Sequence, residues 1–89
     1  MSTANVSLAT GKKSESDVIA IIADALDVPA TKLNPNTKSA DIGEWDSMGI
    51  LSILSSLDRE GIKLDIGDAE SLQSVKGVLE VFQSAGKLE

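Results

Sequence analysis

The chain has 89 residues, 8 basic against 14 acidic side chains, a formal charge of −6 and neither His, Cys nor Tyr. That length supports one small domain burying roughly 60% of its unfolded surface, too thin a core for a deep catalytic cavity. The inventory excludes disulfides, thiolate chemistry, imidazole metal sites and a Ser-His-Asp triad. The acidic balance argues against nucleic acid, which is bound by clustered Lys and Arg.

Apolar residues make up 42% of the chain, yet Trp45 and Phe82 are its only aromatics. Packing by aliphatics and Ala favours helices, and the expected fold is all-α: a small helical bundle of three main helices plus one short helix, with a long loop between the first and second. Residues 1–13 are small and polar without a sustained period and read as a flexible tail. A helix then opens at Ser14 or Ser16, both good caps, with Glu15 and Asp17 placed to suit the dipole. Its apolar stripe is Val18, Ile19, Ile22, Ala23 and Leu26, and Val28-Pro29 ends it.

Ala30 to Trp45 is a connection rich in turn formers, pinned by Leu33 and Ile42, with a short turn expected from Ser39 to Ile42. So long a loop in a compact domain is often functional. The central helix runs from Ser47 to about Glu60. Asp46 caps it, and Ile50, Ile53, Leu54 and Leu57 form its core stripe, widened by Met48 and Leu51. Ser52, Ser55, Ser56, Asp58 and Arg59 supply the wet face, and Gly61 is the left-handed exit. Ile62, Leu64 and Ile66 alternate like a strand, but with no partner strand an extended link is expected, leading into a short helix from about Ile66 to Ser71. Asp65, Asp68 and Glu70 there read as caps and a solvated face; they do not follow an EF-hand loop. Ser74 caps the last helix, where Val75, Val78, Leu79 and Phe82 pack inward, and Gly86 ends it. The domain is therefore placed at 14–86, with 87–89 a C-terminal tail in which Leu88-Glu89 reads as a cloning remnant. No run is long and apolar enough for a secretory or membrane-spanning segment, so a cytoplasmic setting is the default.

Asp46-Ser47-Met48 resembles the Asp-Ser-Leu signature of acyl carrier proteins, with Met48 in place of Leu. The tripeptide alone is weak. Its setting is more specific: a long loop ending in Ile42-Gly43, the motif opening an amphipathic helix, the extended Ile62-Lys63-Leu64, a short acidic helix and a Ser74-Val75 opening. The resemblance runs from about Ser16 to Phe82. It implies that Ser47 carries covalent 4′-phosphopantetheine, attached from coenzyme A by a phosphopantetheinyl transferase, and that acyl groups ride on its thiol as thioesters. The protein itself would be a non-enzymatic monomer serving acyl-loading and acyl-processing enzymes in lipid, fatty-acid or polyketide-type biosynthesis, with no membrane, nucleic-acid or metal site of its own.

On this reading Asp46 helps the transferase hold its metal, a role that stands beside simple capping. Trp45 either packs over the loop end or walls the arm beside Ser47. Met48, Ile50, Ser52, Asp58 and Arg59 are the candidate partner contacts. A phosphodiester on Ser47 gains about 0.3–1 kcal/mol from the helix N-terminus. A charge on Asp46 about 6 Å away returns roughly 0.7 kcal/mol of repulsion. The two nearly cancel, so access rather than tight phosphate binding governs the placement.

Three departures mark a specialised member. The helix face offers Ser52, Ser55 and Ser56 where fatty-acid carriers present acids, Glu44-Trp45 lengthens the approach to Asp-Ser by one residue, and Gly49 stands in the first turn. That glycine is expected to admit close backbone approach by a partner. An aminoacyl, D-alanyl or peptidyl carrier loaded by an adenylating ligase is the nearest alternative; an unmodified helical interaction module is the more distant one.

Overall fold

The computed structural model describes residues 12–89. Three α-helices carry the fold: α1 (Glu15–Leu26), α2 (Ser47–Arg59) and α3 (Val75–Ser84). Shorter 3₁₀ segments lie at Ala30–Lys32, Ser39–Asp41 and Ile66–Leu72. The only bridges among the described residues are isolated ones, so no sheet forms. The expected all-α bundle with a short third helix is the architecture found. No described helix is long and apolar enough to cross a membrane.

Each helix starts on a side-chain cap. Ser14 accepts the Asp17 N–H at 3.2 Å while the Asp17 carboxylate accepts the Ser14 N–H at 3.0 Å, closing a capping box. The hydrogen bond from the Ser14 backbone, followed by that from its hydroxyl, holds the Asp17 carboxyl below its ordinary value. Asp46 caps α2 and Ser74 caps α3, each accepting the N–H three residues on.

The helices also end alike. Asp27, Gly61 and Gly86 have positive φ, and the next residue's N–H reaches back five positions: Val28 to Ala23, Ile62 to Leu57 and Lys87 to Phe82, at 2.9–3.0 Å. The sequence signals Gly61 and Gly86. It does not signal Asp27, which takes the left-handed conformation at φ 59° despite its Cβ. The first helix thus stops one residue before Val28-Pro29 through a backbone turn as well as through proline.

The core joins Val18, Ile22, Ala23 and Leu26 of α1, Ile53 and Leu57 of α2, and Val75, Val78 and Phe82 of α3. α1 packs on both α2 and α3, and the 3₁₀ helix Ile66–Leu72 packs against both as well. Ile19, Ile50, Leu54 and Leu79 are half-buried at the margin, as the stripes predicted. Met48 and Leu51 are not core. They are 70% and 45% exposed, because their positions on α2 face away from α1 and α3.

The long first connection is ordered by its own inward residues. Leu33, Thr37, Ile42 and Trp45 are all buried. Thr37 Oγ1 accepts the Asn34 N–H at 2.9 Å, and Asn34 Oδ1 accepts the Asn36 N–H at 2.8 Å. Two backbone bonds then stitch the loop to the start of α3: Ser39 N–H to the Gln73 carbonyl and Val75 N–H to the Thr37 carbonyl. Leu33 and Ile42 pin the loop as expected, and the short turn lies at Ser39–Asp41.

Most of the predicted N-terminal tail, residues 1–11, lies outside the described residues. Lys13 and the last three residues pair in parallel, Lys13 N–H to the Lys87 carbonyl and Glu89 N–H to the Lys13 carbonyl, both at 2.8 Å. A Lys13–Glu60 ion pair at 3.4 Å ties this junction to the end of α2.

Candidate functional site

The site is built where the first connection becomes α2. Ile42 and Trp45 are the two anchors, linked by the Trp45 N–H to the Ile42 carbonyl at 3.0 Å. Trp45 is 3% exposed, and its indole Nε1 donates to the Leu72 carbonyl at 2.9 Å. It therefore belongs to the core and satisfies a backbone acceptor of the 3₁₀ helix. A wall beside Ser47 would need an outward ring, and neighbourhood in sequence does not supply one.

Asp46 follows in extended backbone. Its Oδ1 accepts the Gly49 N–H at 3.0 Å while its carbonyl takes the first helical bond, from Ile50 at 2.9 Å. Ser47 is the first helical residue and is exposed, and among the described residues nothing bonds its hydroxyl. The N–H groups of Ser47 and Met48 have no partner within the helix, as geometry requires of a first turn. A hydroxyl is thus presented at the positive end of a 13-residue helix, next to the capping carboxylate of Asp46. Among the described residues no group of acidic side chains could hold a metal ion.

The remaining candidates divide among three faces. Met48 is exposed beside Ser47. Leu51, Leu54, Ser55 and Asp58 line a shallow groove of about 350 Å³ whose far wall is Lys63 and Leu64 of the extended link. Ser47, Leu51, Ser55 and Asp58 follow the i, i+4, i+8, i+11 spacing of one helical stripe, so Ser47 heads this groove. Lys63 closes its lower end through an exposed ion pair to Asp58 at 2.7 Å. Ser52 and Arg59 lie on another side, along a polar groove shared with Asp24 and Ala25 of α1. Ile50 turns inward and is half-buried. Of the five predicted contacts only Ile50 turns inward, and Ser55, which lines both grooves, joins the sides that carry the others.

Leu51 and Gly49 also depart from the expectation. Leu51 is a surface residue one turn below Ser47; counting the helix from Ser47 rather than from the core stripe would have put it there. Gly49 is buried, and the close approach it permits is made by this chain: a Cβ there would lie 2.5 Å from the Glu44 carbonyl oxygen. The expectation that a partner uses this space is corrected accordingly.

A protein-family model described as "Phosphopantetheine attachment site" matches residues 16–82, well over half of the chain. No solved structure matches it.

Proposed function

The chain belongs to the phosphopantetheine-attachment family, and on that premise we propose that it is an acyl carrier protein whose prosthetic group is tethered to Ser47. The family carries covalent 4′-phosphopantetheine, whose terminal thiol supplies the reactive sulfur that a chain without Cys lacks. The single observation that carries the assignment to position 47 is an exposed hydroxyl, unbonded among the described residues, on the first residue of α2. The residues there fit the group. The residue is exposed, the first-turn N–H groups would be available to a phosphodiester, and a groove lined by Leu51, Leu54 and Leu64 together with Ser55, Asp58 and Lys63 begins one turn below Ser47.

The chain's own work is presentation. Asp46 holds the first turn, Ile42 and Trp45 hold the loop that leads into it, and Ser47 stands clear for a transferase and then for successive enzymes. Asp46 keeps two duties, capping and helping the transferase hold its metal. The protein passes acyl thioesters between partners and transforms none of them, working as a cytoplasmic monomer in lipid, fatty-acid or polyketide-type synthesis. The groove beneath Ser47 offers a place for the first carbons of a bound chain.

Partner docking follows from the α2 surface. Met48 and Leu51 are the large apolar residues most exposed among those described. The adjoining Ser52 and Ser55 are neutral, and Asp58 is already paired with Lys63. Docking therefore rests on apolar contact more than on charge. That same neutral face supports the second reading, an aminoacyl, D-alanyl or peptidyl carrier charged by an adenylating ligase.

Intact mass spectrometry tests the proposal. The protein is incubated with coenzyme A and a broad-specificity phosphopantetheinyl transferase, alongside Ser47→Ala. One phosphopantetheine gained by the parent and none by the variant supports the tether. No gain in the parent leaves an interaction module, and gain in both moves the tether elsewhere. Offering acyl and aminoacyl ligases to the loaded form then separates the two carrier readings.

A further inference from the structure

Helix propensity makes Ala the better residue than Gly inside a first turn, yet α2 has Gly49 there, two residues past Ser47 and buried. A Cβ built on it would lie 2.5 Å from the Glu44 carbonyl oxygen and 2.7 Å from Leu26 Cδ2. The Leu26 methyl is the free end of a side chain and can turn aside. The Glu44 carbonyl cannot, because it is backbone between the two buried anchors Ile42 and Trp45. Room for a Cβ comes only from lifting residues 43–46 off the helix, and those residues deliver Asp46 and Ser47.

We infer that Gly49 is a positioning residue for loading of Ser47: the bare first turn seats the Glu44 carbonyl, and that seat sets the direction in which the Ser47 hydroxyl faces a transferase. The inference rests on Ser47 being the tether. In the loading step the Ser47 oxygen bonds to the phosphorus that carries the pantetheine half of coenzyme A. The bond from that phosphorus to the nucleotide half breaks, the nucleotide leaves as the 3′,5′-bisphosphate, and the hydroxyl proton passes to a base of the transferase. An in-line displacement of this kind is sensitive to placement of the attacking oxygen, and a 1 Å error costs up to about a hundredfold.

The fold supplies its own control. Gly77 has the equivalent place in α3, its N–H bonded to the capping Ser74 hydroxyl at 2.9 Å, and a Cβ there runs into the Ser71 carbonyl. That obstacle belongs to the 3₁₀ helix rather than to the loop that delivers Ser47. Gly77→Ala therefore disturbs packing at least as much as Gly49→Ala, and it reaches Ser47 only at second hand, through the Trp45 bond to the Leu72 carbonyl.

The experiment measures kcat and KM for transfer from coenzyme A to the parent, Gly49→Ala and Gly77→Ala, scored by intact mass. Partial unfolding lowers the competent fraction, which raises KM and leaves kcat alone. A displaced hydroxyl with the Met48–Leu51 surface intact lowers kcat. The expected result is a kcat about tenfold or more below the parent for Gly49→Ala, and a kcat like the parent's for Gly77→Ala whatever its KM. Equal kcat for Gly49→Ala and the parent overturns the inference, as does an equal fall in both variants. If Gly49→Ala fails to fold in buffer, the three are compared in trimethylamine N-oxide, which restores compact states, and a parental kcat there overturns it too. A parent that is never loaded removes the tether itself and this inference with it, an outcome distinct from a parent that loads normally while Gly49→Ala keeps pace.

Discussion

Replacing Asp46 separates the observed cap from the proposed service to the transferase's metal. Asp46→Ala removes the acceptor of the Gly49 N–H, a loss of about 1 kcal/mol for a cap. It also removes a charge from the helix N-terminus, worth about 0.3–1 kcal/mol at an exposed site. Asp46→Asn keeps the acceptor and loses only the charge. Urea unfolding followed by Trp45 fluorescence should therefore rank parent, Asn and Ala in descending stability. The Ala variant should sit about 1–2 kcal/mol below the parent, or about 4–15 °C lower in Tm for a domain of this size. The parent–Asn gap should shrink in 0.5 M salt, since it is an exposed charge–dipole effect, while the Asn–Ala gap should not. Loading by the transferase is read on the same samples. If the carboxylate serves the transferase's metal, Asn and Ala both load about tenfold or more slowly, about 1.4 kcal/mol of lost transition-state contact. Parental loading of Asp46→Asn would show that capping is the residue's whole contribution. An Asp46→Ala variant as stable as the parent would refute the cap argument.

Three further outcomes are expected. Trp45→Phe orphans the buried Leu72 carbonyl and should cost about 1–3 kcal/mol beyond the smaller ring, read by circular dichroism because the variant has no Trp; a loss below about 0.5 kcal/mol would sink the anchoring role. Asp27→Gly relieves a Cβ at φ 59° and should stabilise by up to about 1 kcal/mol, whereas Asp27→Val should lose about that much or more; the reverse order in urea midpoints would count against the left-handed cap. Met48→Ala/Leu51→Ala should leave stability within about 0.5 kcal/mol while raising the transferase KM severalfold, and the parental KM should change less than about threefold between 50 and 400 mM salt; a steep salt dependence would return docking to charge.

The sequence determined the elements and the motif. Capping residues at Ser14, Asp46 and Ser74, glycines at 61 and 86, and apolar stripes at helical spacing are local signals, and each lies where it was expected. Asp46-Ser47 at a helix mouth was legible for the same reason: it needs only neighbours in the chain. What a side chain faces across the fold is not local. Trp45 adjoins Ser47 in sequence, yet its ring faces Leu72, 27 positions away. Leu51 and Met48 satisfy an apolar pattern but look outward, because α1 and the short helix cover only part of α2. Gly49 signals an open first turn, but only the packed loop reveals that Glu44 fills it. Periodicity fixes which residues share a stripe; the order in which helices and loop close around the core fixes which stripes stay wet, and so where a partner can reach Ser47.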